Sequence, residues 1–298
     1  MNYRDTLLLF VLAALWGASF LFVRIAVPVL GPFPLVARRV ILGGVILLAY
    51  AAMTGQVPDW RTHCRRYVLI GLFNNAIPFT LIAVAQLELT ASLAALLNST
   101  TPLFSAVIAA IWIKDRLTVP KLVGLLLGMI GVGIIVGWQN EDVDSTWVLS
   151  VLLMLGASLS YGIAVVYGKV AFKGVNPIST SIGQLMASSV MIFPIAVLNP
   201  PEQPIQPIII VSVLGLAMLS TSIAYLIYFH LIESAGPTNA ASVTLLIPFF
   251  SSLWGAIFLG EQIHSNEIIG FIVILVGLVL VTGLWTMPSL RRYLAAKP

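Results

Sequence analysis

Ten long apolar runs, one after another, leave this chain a single solvent for most of its surface, the hydrocarbon of a bilayer. The runs cover residues 6–28, 33–53, 67–87, 90–113, 119–138, 147–171, 177–198, 206–231, 237–259 and 266–286. A bilayer core about 30 Å thick is crossed by a helix of about 20 apolar residues, and each run is long enough. Backbone polar groups in lipid must be satisfied within the chain, which leaves only helices and closed barrels. Barrel strands are about 10 residues long and alternate in polarity; these runs are longer and apolar throughout. Turn or charged residues separate them, among them Gly31-Pro32, Pro58-Asp59, Lys114-Asp115-Arg116, Gly174 to Pro177, Gly236-Pro237 and Gly260-Glu261. Composition agrees: 59% of the 298 residues are hydrophobic and 9% charged, against about 45–50% and about 25% in a soluble domain. The predicted class is an all-α polytopic membrane protein with ten transmembrane helices.

The first run is too long for the apolar core of a signal peptide, and Arg24 stands where a cleavage site would be. Lysine and arginine set the orientation, because cytoplasmic loops carry them in excess. With the N-terminus inside, 12 of the 15 basic residues fall on the inner side, and Arg24, Arg38 and Arg39 alone fall outside. Both termini are then cytoplasmic, and the acidic loop Glu141-Asp142-Asp144 is external. The net charge of +4 therefore reports topology, and no nucleic-acid partner is expected. The single cysteine, Cys64, excludes an intrachain disulfide; between Pro58 and the third run it reads as a loop residue.

The chain also repeats itself. Displaced by 146 residues, 91–137 overlays 237–283 without a gap. Ala94 and Ala95 meet Ala240 and Ala241, Pro102 meets Pro248, Asp115 meets Glu261, and Gly124, Gly131 and Gly137 meet Gly270, Gly277 and Gly283. At an offset of 145, Trp16-Gly17 meets Tyr161-Gly162, Arg24 meets Lys169 and Pro32 meets Pro177. The halves divide as 1–139 and 140–298. Each holds five helices, and five is odd, so the second half enters the membrane in the opposite sense. Inverted repeats let one packing adopt two mirror-related states, which is the logic of alternating access. A transporter needs this, whereas a structural protein has no evident use for it.

The residues at these positions resemble those of the EamA-type drug/metabolite transporters. The similarity lies in Leu15-Trp16-Gly17-Ala18-Ser19-Phe20 with Arg24, in Pro34 with Arg39, and in Ala91-Ser92-Leu93-Ala94-Ala95-Leu96-Leu97 followed by Pro102 and Asp115. The second half repeats it in Ala240-Ala241, Pro248 and Gly260-Glu261. Asp115 departs from the family's usual glutamate. The resemblance spans nearly the whole chain and is greatest to the amino-acid exporter branch. It implies two inverted five-helix repeats around a central cavity lined by helices one to four and six to nine, with helices five and ten outside. It also implies export of aromatic and other amino acids from the bacterial cytoplasm, in the inner membrane.

Polar groups at bilayer depth are costly and face protein or a water-filled cavity. Candidate lining residues are Trp16, Asn74, Asn75, Asn98, Thr101, Tyr161, Tyr225, Tyr228 and Thr244, with Ser220 to Ser222. Amide carbonyls accept from an ammonium, amide and hydroxyl donors hold a carboxylate, and aromatic faces suit an apolar side chain or a cation. The same residues also serve as hydrogen bonds between helices, and both readings stand. Pro102 and Pro248 fall within helices and read as paired hinges or as static kinks. Arg24, Arg38 and Arg39 lie at an outer mouth and steer a carboxylate, or bond carbonyls of the first hairpin. Gly124/Gly128 and Gly133/Gly137 form G-x-x-x-G pairs, for internal packing or for a dimer; a monomer is favoured. His230, the only intramembrane histidine, reads as a helix-end interfacial residue or as a coupling group, and no carboxylate stands near a helix midpoint, which leans towards facilitated export or a coupling that the sequence does not show. No metal site, cofactor fingerprint or nucleophile with its base is present in the pattern, so no cofactor and no enzymatic activity are expected. Export of other metabolites or drugs is the alternative. A channel, a sensor or a membrane-embedded enzyme is the different class.

Overall fold

The computed structural model describes residues 2–137 and 144–283. Ten helices there are long and apolar enough to cross a membrane: α1 (Tyr3–Leu30), α2 (Pro32–Thr54), α3 (Trp60–Ala85), α4 (Ala91–Trp112), α5 (Val119–Gly137), α6 (Ser145–Ala171), α7 (Pro177–Leu198), α8 (Pro207–Ala235), α9 (Asn239–Leu259) and α10 (Ser265–Thr282). Glu141, Asp142, Arg291, Arg292 and Lys297, used above to orient the chain, lie outside the described residues. The face of the membrane that carries the start of α1 is called proximal below, and the opposite face distal.

Polar side chains start many of these helices by accepting from orphan first-turn N–H groups. Asn2 does so for α1, Asp59 for α3, Thr90 for α4, Asp144 for α6 and Asn176 for α7. The Asp59 cap explains why α3 begins at Trp60 and not near residue 67. Its first turns carry Arg61, Cys64, Arg65 and Arg66, too polar to register as part of an apolar run. Cys64 is thus an exposed helical residue and not part of a loop.

Contacts between helices obey the repeat. α1 packs on α9, and α6 on α4; α2 packs on α8, and α7 on α3; α2 meets α7, and α5 meets α10, across the pseudo-two-fold axis. Close approach is written into glycine. A Cβ on Gly17 would lie 2.8 Å from Phe250 Cβ and 2.8 Å from Ser251 N, and one on Gly162 would lie 3.0 Å from Phe104 Cβ and 3.0 Å from Ser105 N. These are equivalent positions in the two halves. The neighbouring Trp16 and Tyr161 are thereby carried to equivalent places on α1 and α6.

α5 and α10 lie against each other through Gly124, Gly131, Gly270 and Gly277, each set against a backbone carbonyl of the other helix. Gly128 meets Leu103, whereas Gly133 and Gly137 have open space beside them. The first G-x-x-x-G pair is therefore internal packing, and the second faces away from the protein.

Candidate functional site

Asn74, Asn75 and Ser220 to Ser222 lie on widened helical turns. α3 widens into a π turn over Leu72–Ala76, and α8 widens over Gly215–Ile223. At the offset of 146 the first segment maps to 218–222, inside the second. In α8, Thr221 Oγ1 donates to Leu216 O at 2.8 Å and Ser222 Oγ to Ala217 O at 2.9 Å, each five residues back. Such bulges turn side chains out of the regular helical register and are frequent at functional sites. Here they present Asn75 and Thr221, at equivalent positions, toward α2 and α8.

Around these two residues the structure gathers one buried cluster from both halves. Arg39 on α2 is 8% exposed, Asn75 on α3 is 0% and Thr221 on α8 is 1%. Arg39 Nε donates to Thr221 Oγ1 at 3.2 Å. Its guanidinium carbon lies 3.7 Å from the centroid of the Phe79 ring, within cation–π range. Phe79 meets Tyr161 edge-on at 6.5 Å. Tyr225 donates to Asn75 Oδ1 at 3.5 Å, a long bond, and the Asn75 amide nitrogen has no partner. Tyr161, Tyr225 and Asn75 are thus brought together, joined by Arg39 and Phe79, which the sequence did not separate from their neighbours.

The remaining candidates divide. Trp16 packs on Tyr228 at 5.3 Å between α1 and α8. Asn98 ends the first part of α4, where the helix is interrupted at Ser99 and Thr100, and its side-chain oxygen is buried without a partner. Thr101 and Thr244 donate to carbonyls three residues back, Asn98 O at 2.8 Å and Ala241 O at 2.9 Å. Pro102 does not kink a continuous helix: it sits in the first turn of Thr101–Trp112, where its missing N–H has no intrahelical partner to lose. Pro248 is inside Val243–Trp254. The two prolines are equivalent in sequence, but the helix breaks are not, since α9 breaks at Ser242. Arg24 donates to Gln86 O at 2.5 Å and Leu87 O at 2.8 Å, and Arg38 to Pro34 O at 3.0 Å. His230 is exposed.

Asn74 belongs with the packing residues. Its amide donates to Gln184 Oε1 at 3.0 Å, tying α3 to α7. Asn74→Ala leaves the acceptor of a residue 5% exposed without a donor. It is expected to destabilise the fold by about 1–3 kcal/mol while leaving substrate affinity unchanged. Thermal unfolding and substrate titration on one preparation check both halves of this statement.

The distal face is fastened by a carboxylate. Glu261, in the turn between α9 and α10, accepts from Ala91 N at 2.7 Å, Ser92 N at 3.0 Å and Ser92 Oγ at 2.5 Å. It thereby caps the N-terminus of α4, where the orphan N–H groups and the helix dipole favour an anion. The repeat-equivalent Asp115 makes the same backbone turn: its N–H bonds Ala109 O six residues back at 3.2 Å, as Glu261 N–H bonds Gly255 O at 3.1 Å. Its carboxylate, however, pairs with Lys121 at 2.9 Å, and that hydrogen bond holds its pKa below the ordinary aspartate range. The fastening is one-sided: Glu261 joins the two halves at the distal face, while Asp115 stays within its own half at the proximal face.

Among the described residues no group of three or more His, Cys, Asp or Glu could hold a metal ion. A solved crystal structure overlays 98% of this chain and 99% of its own with a TM-score of 0.67 at 18% identity, which speaks for the fold. Relatives of the same length include an uncharacterized transporter of Archaeoglobus fulgidus, 22% identical over 89% of this chain and 94% of its own. The uncharacterized inner membrane transporter YedA of Escherichia coli K12 is 27% identical over 97% of this chain and 95% of its own. The EamA-like transporter family model matches twice, over residues 5–137 and 148–283, once on each of the two inverted halves that surround the Arg39 cluster. With the family's unit present in both halves and ten membrane-crossing helices to carry it, this chain is a multi-pass membrane transporter and belongs to the EamA-like transporter family.

Proposed function

We propose that this transporter exports amino acids, aromatic and other apolar ones foremost, from the cytoplasm across the bacterial inner membrane. It works by alternating access, as a monomer, with both termini cytoplasmic, residues 1–139 and 140–298 being the two halves and Pro102 and Pro248 marking the segments that move. The observation that carries the reading is the buried cluster of α2, α3, α6 and α8, where aromatic faces and polar groups without partners share one place. Phe79, Tyr161 and Tyr225 suit an apolar or aromatic side chain. The free Asn75 amide is a donor for a carboxylate, and the orphan Asn98 oxygen at the break in α4 is an acceptor for an ammonium. Trp16 with Tyr228, and Thr101 with Thr244, extend the lining towards the proximal face.

Liposomes holding the purified protein, loaded with unlabelled phenylalanine and given labelled phenylalanine outside, test the proposal. Saturable exchange that several unlabelled amino acids inhibit supports it. Exchange no faster than in empty liposomes, with the protein shown to be folded, moves the function to another metabolite or drug. Flux that does not saturate points to a channel.

A further inference from the structure

Arg39 stands seven residues into α2, about 10 Å from the start of the helix at 1.5 Å per residue, and it has no counter-ion. The one ion pair among the described residues joins Lys121 to Asp115. A guanidinium carries five N–H donors, and Arg39 is shown making a single hydrogen bond, from Nε to Thr221. One face of the planar group is covered by Phe79, which leaves the edge with Nη1 and Nη2 as the part still to be satisfied. A charge taken from water without a partner costs several kcal/mol.

The repeat shows that packing does not require this charge. At the offset of 145, Arg39 falls on Gln184. Gln184 holds the equivalent contact between α7 and α3, is equally buried, and is satisfied by Asn74. A neutral amide does the structural work in one half; the other half carries a guanidinium in the same place. Beside it the Asn75 amide nitrogen, fully buried, also has no acceptor. The cluster thus holds more donors than acceptors, and one of the donors is charged.

We infer that Arg39 is the anchor for a substrate carboxylate, held two-pronged on the guanidinium edge with Asn75 donating beside it, so that the transported molecules are carboxylates. The inference rests on the reading of this cluster as the transport site. A planar carboxylate matches the guanidinium fork. A phosphate, with a second charge, needs a second cation, and the other arginines of the first hairpin are committed to carbonyls: Arg24 to Gln86 and Leu87, Arg38 to Pro34.

The test uses the full chain in liposomes and matched aromatic probes. Phenylalanine carries both groups, 3-phenylpropionate the carboxylate alone, phenylalanine amide and phenethylamine the amine alone, and phenyl phosphate the dianion. Phenylalanine and 3-phenylpropionate are expected to inhibit exchange, with the amine-only probes and phenyl phosphate weaker by tenfold or more, about 1.4 kcal/mol. Arg39→Gln is expected to raise the KM for phenylalanine about 100-fold, from the loss of a charge-assisted two-pronged contact, and Arg39→Lys to recover part of it. Equal inhibition by phenylalanine amide, or an unchanged KM in Arg39→Gln, overturns the anchor and leaves amino-acid transport standing. No phenylalanine exchange, but stabilisation of the native protein by 3-phenylpropionate that Arg39→Gln abolishes, overturns the amino-acid reading and leaves the anchor standing. Arg39→Met guards against a folding artefact. It is expected to unfold, without ligand, at or above the temperature of the native protein, because an uncompensated buried charge is gone. Unfolding far below that temperature would make the guanidinium structural and overturn the inference.

Discussion

Glu261→Ala is expected to release the distal end of α4 and to destabilise the protein by about 3 kcal/mol: three hydrogen bonds to one carboxylate go at once, each with a net contribution of about 1.5–3 kcal/mol, and water reaching the partly exposed turn replaces part of the loss. The loss is local in a way that can be read. The amides of Ala91 and Ser92 donate to the Glu261 carboxylate, and nothing in α4 itself accepts from a first-turn N–H. Their hydrogen exchange should quicken markedly in the variant, while amides in Thr101–Trp112 exchange as before. Glu261→Gln keeps the shape and one acceptor oxygen, and should fall between. If Glu261→Ala unfolds with the native protein and its α4 amides keep their protection, the carboxylate does not hold the distal face. Asp115→Ala supplies the contrast. Asp115 is itself half-exposed where it pairs with Lys121, and an exposed pair contributes at most about 1 kcal/mol.

Gly17→Val should do more damage than any loss of a polar contact. The new side chain would start 2.8 Å from Phe250 Cβ and 2.8 Å from the Ser251 nitrogen, and neither atom is the end of a flexible chain. α1 must then separate from α9, which removes contact along the whole crossing and shifts Trp16 relative to Tyr228. Overpacking of this kind costs about 1–3 kcal/mol where neighbours can yield, and about 3 kcal/mol or more is expected where the obstacle is backbone. Gly162→Val should behave alike, against Phe104 and Ser105, and should in addition move Tyr161 away from Phe79. Alanine at either position is the milder case, with the same sign. Folded yield and thermal unfolding of the four variants check the expectation. Valine variants as stable as the native protein would show that these two crossings are not held by the absence of a side chain.

Most of the architecture was legible because two strong signals run the length of the chain: apolar runs long enough to span a bilayer, and proline, glycine and acidic residues that recur at a fixed offset. The site was legible only in part, and adjacent residues show why. Successive residues on a helix point about 100° apart, so Arg38 and Arg39 look alike in sequence but face different surroundings. Arg38 borders an apolar groove with Leu42, Ile210 and Leu214, whereas Arg39 reaches Phe79 and Thr221. Asn74 and Asn75 divide in the same way, one fixing α7 and one with its amide nitrogen left without a partner. Which of two neighbours faces inward depends on helix rotation, which the apolar pattern does not settle when a helix is apolar all round. The opened turns in α3 and α8 shift that rotation again, and no residue type announces them. The equivalence of Arg39 with Gln184 was available in the sequence, but its meaning appears only when the structure shows that one is satisfied and the other is not.

The glycine contact between α5 and α10 bears on how such a chain arises. Gly124 lies against Gly277, and Gly131 against Gly270; exchanging the two halves turns the first contact into the second. The surface is thus its own complement. A gene encoding only one half would have had its docking partner ready made in a second copy of itself, provided that copy was inserted into the membrane upside down. Duplication and fusion then needed to invent no new interface, and the odd number of helices per unit kept the two copies in opposite sense once they shared a chain. After fusion each half was free to drift, and an arginine in one half beside a glutamine in the other is the kind of divergence that a pair of identical subunits cannot make.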